Sequence, residues 1–245
     1  MLERYRDLII IYERNTAYVI SCDSLGAIGS KEQDVLKVDE EVVGRATIKV
    51  ALAEALCVGA RPLVIADTLA VEMKPTGEKI IRAIEEELME NGLAGVVLTG
   101  STEENFPTSM TGVGITVVSR CKAKDLKIKK IKKGMHISLL GYPLVGKEVL
   151  KNPDKVLELK DYVEISKSKE IIEAIPVGSR GISYELGVLE SLSGLKIKKE
   201  IPPHINILKS GGPASSCLIV HEKREASIAK AINKPLTYMG SFIIG

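Results

Sequence analysis

Short apolar runs separated by polar turns fill the start of the chain. Residues 7–12 (DLIIIY) and 17–22 (AYVISC) predict two strands around the turn Glu13-Arg14-Asn15-Thr16. Asp23 follows directly, then the glycine-bearing loop SLGAIGSKEQD, which carries Lys31. From Glu40 to Cys57 the period lengthens. Apolar residues fall at Val43, Ala46, Val50, Ala53 and Leu56 or Cys57, which predicts a helix stopped by Gly59. Its many small residues predict close packing against a sheet. Residues 62–72 read as a strand, and Pro75-Thr76 opens a second helix that ends at Asn91-Gly92. Val96 to Leu98 and Thr111 to Arg120 read as two further strands.

Residues 122–134 hold seven lysines, with Leu126, Ile128 and Ile131 between them. They predict a solvated connector or a lysine-bearing edge, and the best domain boundary. The expected division is residues 1–133 and residues 134–245. Beyond it, MHISLLG reads as a strand. Short helices are expected at 143–150, 154–161 and 168–174, and a longer one between Gly181 and Gly194. SGGPASSCLIV predicts a glycine-rich turn entering a strand, residues 222–232 a helix, and residues 236–244 a last strand. Helices and strands mix without strict alternation, so the class is α+β rather than doubly wound.

Composition narrows the function classes. The 245 residues suffice for one large or two modest domains, and the net charge of +2 gives no electrostatic case for nucleic acid or membrane partners. No run is long and apolar enough for a transmembrane helix, and MLERYRDLIII is not a signal peptide, so cytoplasmic location is the expectation. Cys22, Cys57, Cys121 and Cys217 are scattered without CxxC spacing and read as buried thiols. His136, His204 and His221 lack metal-ligand spacing.

What remains is oxygen chemistry. Thr99 to Thr108 (TGSTEENFPT) form a loop dense in hydroxyls, carboxylates and an amide, placed either to meet a polar ligand or simply to be solvated. Asp7, Asp23, Glu54, Glu103 and Glu104 stand at or near predicted element ends, the kind of carboxylate set an Mg²⁺–nucleotide site uses. Glu54 sits among Ala51, Leu52, Ala53, Ala55 and Leu56. It is either partnered or on a helix face turned to water. Neither GxxxxGK[ST] nor GxGxxG is present, so a nucleotide would bind through another architecture.

CDSLGAIG, VDEEVVGRATIKVALAEALCVGARP and LTGSTEENFPTSMTGVGITVV together resemble the aminoimidazole-ribonucleotide-synthetase superfamily, which includes thiamine-monophosphate kinase. SGGPASSCLIV resembles its late C-terminal stretch. GSTEENFPT, PLVGKEVL and PVGSRGI look most like the small α-ribazole kinase branch. The resemblance implies a two-domain AIR-synthetase-like α+β fold, with N-terminal strands forming a barrel across a homodimer interface. It also implies ATP and Mg²⁺ as cofactors and phosphorylation of a small molecule, α-ribazole in cobalamin lower-ligand salvage.

By position, Asp23 matches the family's "TTD" acid, Asp7 an acid of "GDDA", and Glu54 a helix position that is usually Asp. These three are the expected metal ligands. Thr99 to Thr102 stand where kinase members carry "GGDT", with Ser101 in place of the acid, and Gly100, Ser101 and Thr102 are expected at the phosphates. Arg180 stands at the "SDG" position, either on phosphate or at an exposed helix end. Lys31 is expected either to close over the γ-phosphate or to be an exposed loop lysine, and Glu103, Glu104 or Asn105 to orient or deprotonate the acceptor hydroxyl. The alternatives are another ATP-using activity of the superfamily and a non-catalytic nucleotide-binding dimer.

Overall fold

The computed structural model describes residues 1–223 and 232–245; the helix expected at 222–232 lies almost wholly outside the described residues. The chain divides into two units: Met1–Ala55 with Ala60–Lys124, and Leu56–Gly59 with Asp125–Gly245.

In the first unit, β1 (Leu2–Tyr5), β2 (Leu8–Glu13), β3 (Thr16–Gly26), β6 (Arg61–Leu69), β7 (Val97–Thr102) and β8 (Gly112–Lys122) form one open sheet. Its order is β1-β2-β3-β8-β6-β7. Every pairing is antiparallel except β6 with β7, which is parallel. Two-residue strands β4 (Ile28–Gly29) and β5 (Leu36–Lys37) pair within the loop after β3. α1 (Glu40–Cys57) and α2 (Glu78–Glu90) are the helices expected, with a π-helical turn at Met73–Gly77 ahead of α2. α2 is the crossover that lets β6 and β7 run parallel.

The small residues of α1 serve as anticipated. Ser21 Oγ donates to Ala51 O at 2.7 Å, which seats α1 on the buried face of β3. A Cβ on Gly44 would lie 2.6 Å from Ile80 O, so glycine is what allows α1 to approach α2 so closely. The buried sheet face carries Leu8, Ile10, Val19, Ile65, Val113, Ile115 and Val117. On the other face the register sets Ile9, Ile20, Val118, Val64 and Val97 opposite one another in a single row across five strands. Val64 and Val97 in that row are exposed.

The second unit is built on a five-stranded antiparallel sheet, β10-β12-β9-β13-β11. Its strands are β9 (His136–Gly141), β10 (Ile171–Pro176), β11 (Lys196–Lys199), β12 (Ser216–His221) and β13 (Leu236–Ile243). Its helices are α3 (Lys147–Lys151), α4 (Leu159–Lys167) and α5 (Gly181–Ser193). Ile182, Leu186 and Leu189 of α5 join Ile137, Leu139, Leu218 and Phe242 in one core.

Several expectations change. Residues 168–174 are not a helix; β10 occupies most of them, and α4 ends just before. Glu173 points inward at a bulge of β10 and accepts Ile131 N at 3.1 Å, which breaks the alternation that marks a strand. The helix expected at 154–161 is a short 3-10 turn followed by α4, whose start is set by a Glu158–Asp161 capping box. β1 and β11 have no counterpart in the sequence reading. Cys22 is exposed rather than buried. The N-terminal sheet is open, and no closed barrel is formed among the described residues.

Candidate functional site

β3 does not stop before Asp23 but continues to Gly26, so Asp23 is a strand residue. It lies directly opposite Ile115 of β8, Ile115 lies opposite Asp67 of β6, and Asp67 lies opposite Gly100 of β7. Direct cross-strand partners share a face. Asp23, Ile115 and Asp67 therefore stand in one row on the side of the sheet that α1 covers. The two carboxylate positions are separated by two strand spacings, roughly 10 Å.

Asp7 is not at the start of a strand but in the exposed turn joining β1 to β2, next to Arg6. Glu54 reaches toward that turn from α1 and forms an ion pair with Arg6. Its carboxyl is pushed up by burial, pulled back by Arg6, and pushed up again by the charges of Asp7 and Asp23. Asp7 and Asp23 thus both act on the Glu54 carboxyl, which Arg6 partly offsets. Burial also raises the Asp23 carboxyl, against the opposing hydrogen bond from Ser24 N–H.

Asp67 is 3% exposed, and burial pushes its carboxyl up to about 6, only partly offset by the Ser101 backbone N–H. Its Oδ1 is buried with no hydrogen-bond partner among the described residues. A Cβ on Gly100 would lie 1.7 Å from that oxygen, so only glycine opposite Asp67 leaves room for the carboxylate. An orphaned buried carboxylate oxygen is expensive, and such groups mark functional positions more often than stabilising ones. The Ser101 N–H is directed at Asp67, while the Ser101 side chain is exposed.

The expected polar loop is shorter than the sequence suggests, because β7 runs on through Thr102. Thr102 Oγ1 and Met73 N both donate to Glu104 Oε1, at 2.7 and 2.8 Å. Glu103 Oε1 accepts Asn105 N at 2.7 Å and Phe106 N at 3.2 Å, and these two backbone donors hold its carboxyl low. Lys31 Nζ donates to Glu72 Oε2 at 2.6 Å and to Thr108 O at 3.1 Å. Burial would raise Glu72, but the bonds from Lys31 and Thr76 outweigh it and hold that carboxyl at about 2. Lys31 is therefore engaged in tying two loops together.

Asp34 is a second tie. It accepts Thr111 N and Thr111 Oγ1 at 2.8 and 2.7 Å, and Lys31 N at 2.9 Å. Asp34→Ala is expected to cost about 2–4 kcal/mol, because two buried donors and one part-buried donor lose their acceptor. Urea unfolding checks it, and a loss below about 1 kcal/mol would contradict that role. Arg180 belongs to the other unit, at the start of α5, with its guanidinium 4.6 Å from the Tyr184 ring centroid.

Asp34, Asp67 and Glu72 were not anticipated. Asp67 has a signal, a lone carboxylate inside the apolar run PLVIADTLA. Asp34 and Glu72 have none, since the partners that make them ties between loops, Thr111 and Lys31, lie far away in sequence.

Residues 6–121 match the family model described as AIR synthase related protein, N-terminal domain. The N-terminal unit is therefore similar to an AIR synthase related N-terminal domain, over a little under half of the chain. All the carboxylates just described, from Asp7 to Glu104, fall inside it. A comparison with curated proteins gives no match. Among solved structures, thiamine monophosphate kinase from Aquifex aeolicus is similar over 99% of this chain and 90% of its own, with a TM-score of 0.70 at 13% identity. AaThiL complexed with AMPPCP and TMP is similar over 98% and 85%, with a TM-score of 0.67 at 14% identity. T. maritima PurL complexed with ATP is similar over 97% of this chain and 37% of its own, with a TM-score of 0.60 at 14% identity. The chain thus shares an α+β fold with these proteins.

The acids of this domain offer only oxygen donors, and among the described residues no group of three or more His, Cys, Asp and Glu, the expected Asp7, Asp23 and Glu54 included, is placed to hold a metal ion. Mg²⁺ needs only one or two carboxylates when substrate phosphates complete its shell.

Proposed function

We propose that this chain is an ATP- and Mg²⁺-dependent kinase of a small nucleoside-like molecule, acting on a hydroxyl of α-ribazole in cobalamin lower-ligand salvage in the cytoplasm. The observation that carries the reading is the row Asp23–Ile115–Asp67–Gly100, with Glu54 and Asp7 beside Asp23. It concentrates negative charge on an AIR synthase related domain, as a phosphate-bound cation requires. Support also comes from fold relatives solved with AMPPCP and TMP and with ATP.

Asp7 and Asp23 would hold Mg²⁺ against the ATP phosphates, with Glu54 fixed beside them by Arg6. The metal supplies charge neutralisation on the phosphoryl group. Kinase members carry an acid where this chain has Ser101; Asp67, hydrogen-bonded to Ser101 N–H, restores negative charge one strand away. The Gly100–Thr102 end of β7 would lie at the phosphates. Glu103 and Asn105 would orient the acceptor. The acceptor oxygen bonds to the γ-phosphorus, the bridge to the β-phosphate breaks, ADP leaves, and the hydroxyl proton is released. Calorimetry should read saturable ATP binding that chelation of Mg²⁺ abolishes. Binding indifferent to Mg²⁺ would sink the assignment.

The working form would be a homodimer. The row Ile9–Ile20–Val118–Val64–Val97 offers a second copy a continuous aliphatic strip, against which the N-terminal strands close into a barrel. Sedimentation should give a dimer for the native chain and a monomer for Val118→Lys. A native monomer at micromolar concentration would exclude it.

A further inference from the structure

Three loops of the first unit are laced into one surface. Gln33 N donates to Ser109 O at 2.8 Å, Glu103 N to Val71 O at 2.9 Å, and Lys31 bridges Glu72 to Thr108 O. Glu104 ties the loop after β7 to Met73 N. Polar lacing of this density fixes the backbone, yet the loops display large apolar side chains to water. Phe106 is 75% exposed, Val35 85%, Met110 41% and Met73 39%. Phe106 is one of only two phenylalanines in the chain, and Glu103 fixes its backbone N–H.

Four side chains fall far short of the roughly 800 Å² per partner that a stable protein interface buries. They suit one flat ring: a phenyl face for stacking, with methionine thioethers that adapt to its edge.

We infer that this three-loop platform receives the planar heteroaromatic ring of a nucleoside ligand, stacked on Phe106. The inference rests on the kinase reading for the class of ligand. The ring comes either from the acceptor or from ATP, and the two are separable. Stacking costs no charge and tolerates ring substitution, so the platform selects flat nucleosides over other hydroxyl compounds. Phe106→Ala should raise the KM of the nucleoside whose ring it holds by roughly ten- to a hundredfold, the worth of one base–aromatic stack. Its thermal unfolding should not change, since the side chain is already in water.

The chain contains no tryptophan, so Phe106→Trp gives a single fluorophore at the platform. Its emission would be titrated with α-ribazole, with ATP and Mg²⁺, and with ribose as a ring-free control. A saturable change with α-ribazole alone places the acceptor ring there; a change with ATP alone places adenine there; either supports the inference. No response to either ring, or the same response to ribose, overturns it. Emission that follows protein concentration instead means a contact between copies and also overturns it. A ring-dependent response in a protein that never releases ADP would leave the platform standing and remove the kinase reading.

Discussion

Asp23→Asn should lower ADP release by roughly 100- to 1,000-fold, the usual loss when one preorganised charge at a transferring phosphoryl group is removed. Asp23 is half-buried on β3, and its carboxyl is raised by burial, with Ser24 N–H opposing. An amide keeps an acceptor for that N–H and removes a desolvated charge that repels Glu54. Unfolding should therefore be unchanged or slightly harder while turnover is lost. A variant with activity within about threefold of the native chain would remove Asp23 from the metal site.

Asp67→Asn is expected to move stability and activity in opposite directions. The folded carboxyl sits at about 6 against an ordinary value near ~3.9, so the native state binds the extra proton between those limits. Stability is lost as pH rises through that window, and above about 6 the full penalty remains. The amide removes it. The variant should gain about 1–2 kcal/mol at pH 7, and the gain should vanish below about pH 4. Turnover should fall at least tenfold, because the acid that stands in for the one missing at Ser101 is gone. Denaturant unfolding at both pH values, with steady-state rates at neutral pH, reads both arms. A variant that is destabilised at pH 7, or that keeps full activity, contradicts this role.

The sequence pattern foretold what depends on local period. The spacing from Val43 to Leu56 yields α1 over the expected residues, and Gly194 closes α5 in the left-handed conformation. It failed where long-range pairing decides. KEIIEA carries two isoleucines that fit helix or strand equally well, and only partnership with β12 makes the segment β10. KIKK holds one buried residue among lysines, the composition of a blunted edge, and is β11.

The site divides the same way. Asp23 and Glu54 were legible as acids beside apolar stretches. The row that sets Asp23 in line with Asp67 depends on the registers of two strand pairs, which no short stretch encodes. Lys31 was legible as a cation in a glycine loop, but its use as a strap to Glu72 and Thr108 follows from two distant loops meeting.

ADP release from the purified chain with ATP and Mg²⁺ is the most direct test of the central claim, with α-ribazole, thiamine monophosphate, purine-pathway nucleosides or no acceptor. Release that requires α-ribazole is the expected result. Release driven by another acceptor would contradict the salvage assignment. Saturable ATP binding without release from any acceptor would contradict the kinase itself and leave a nucleotide-binding dimer.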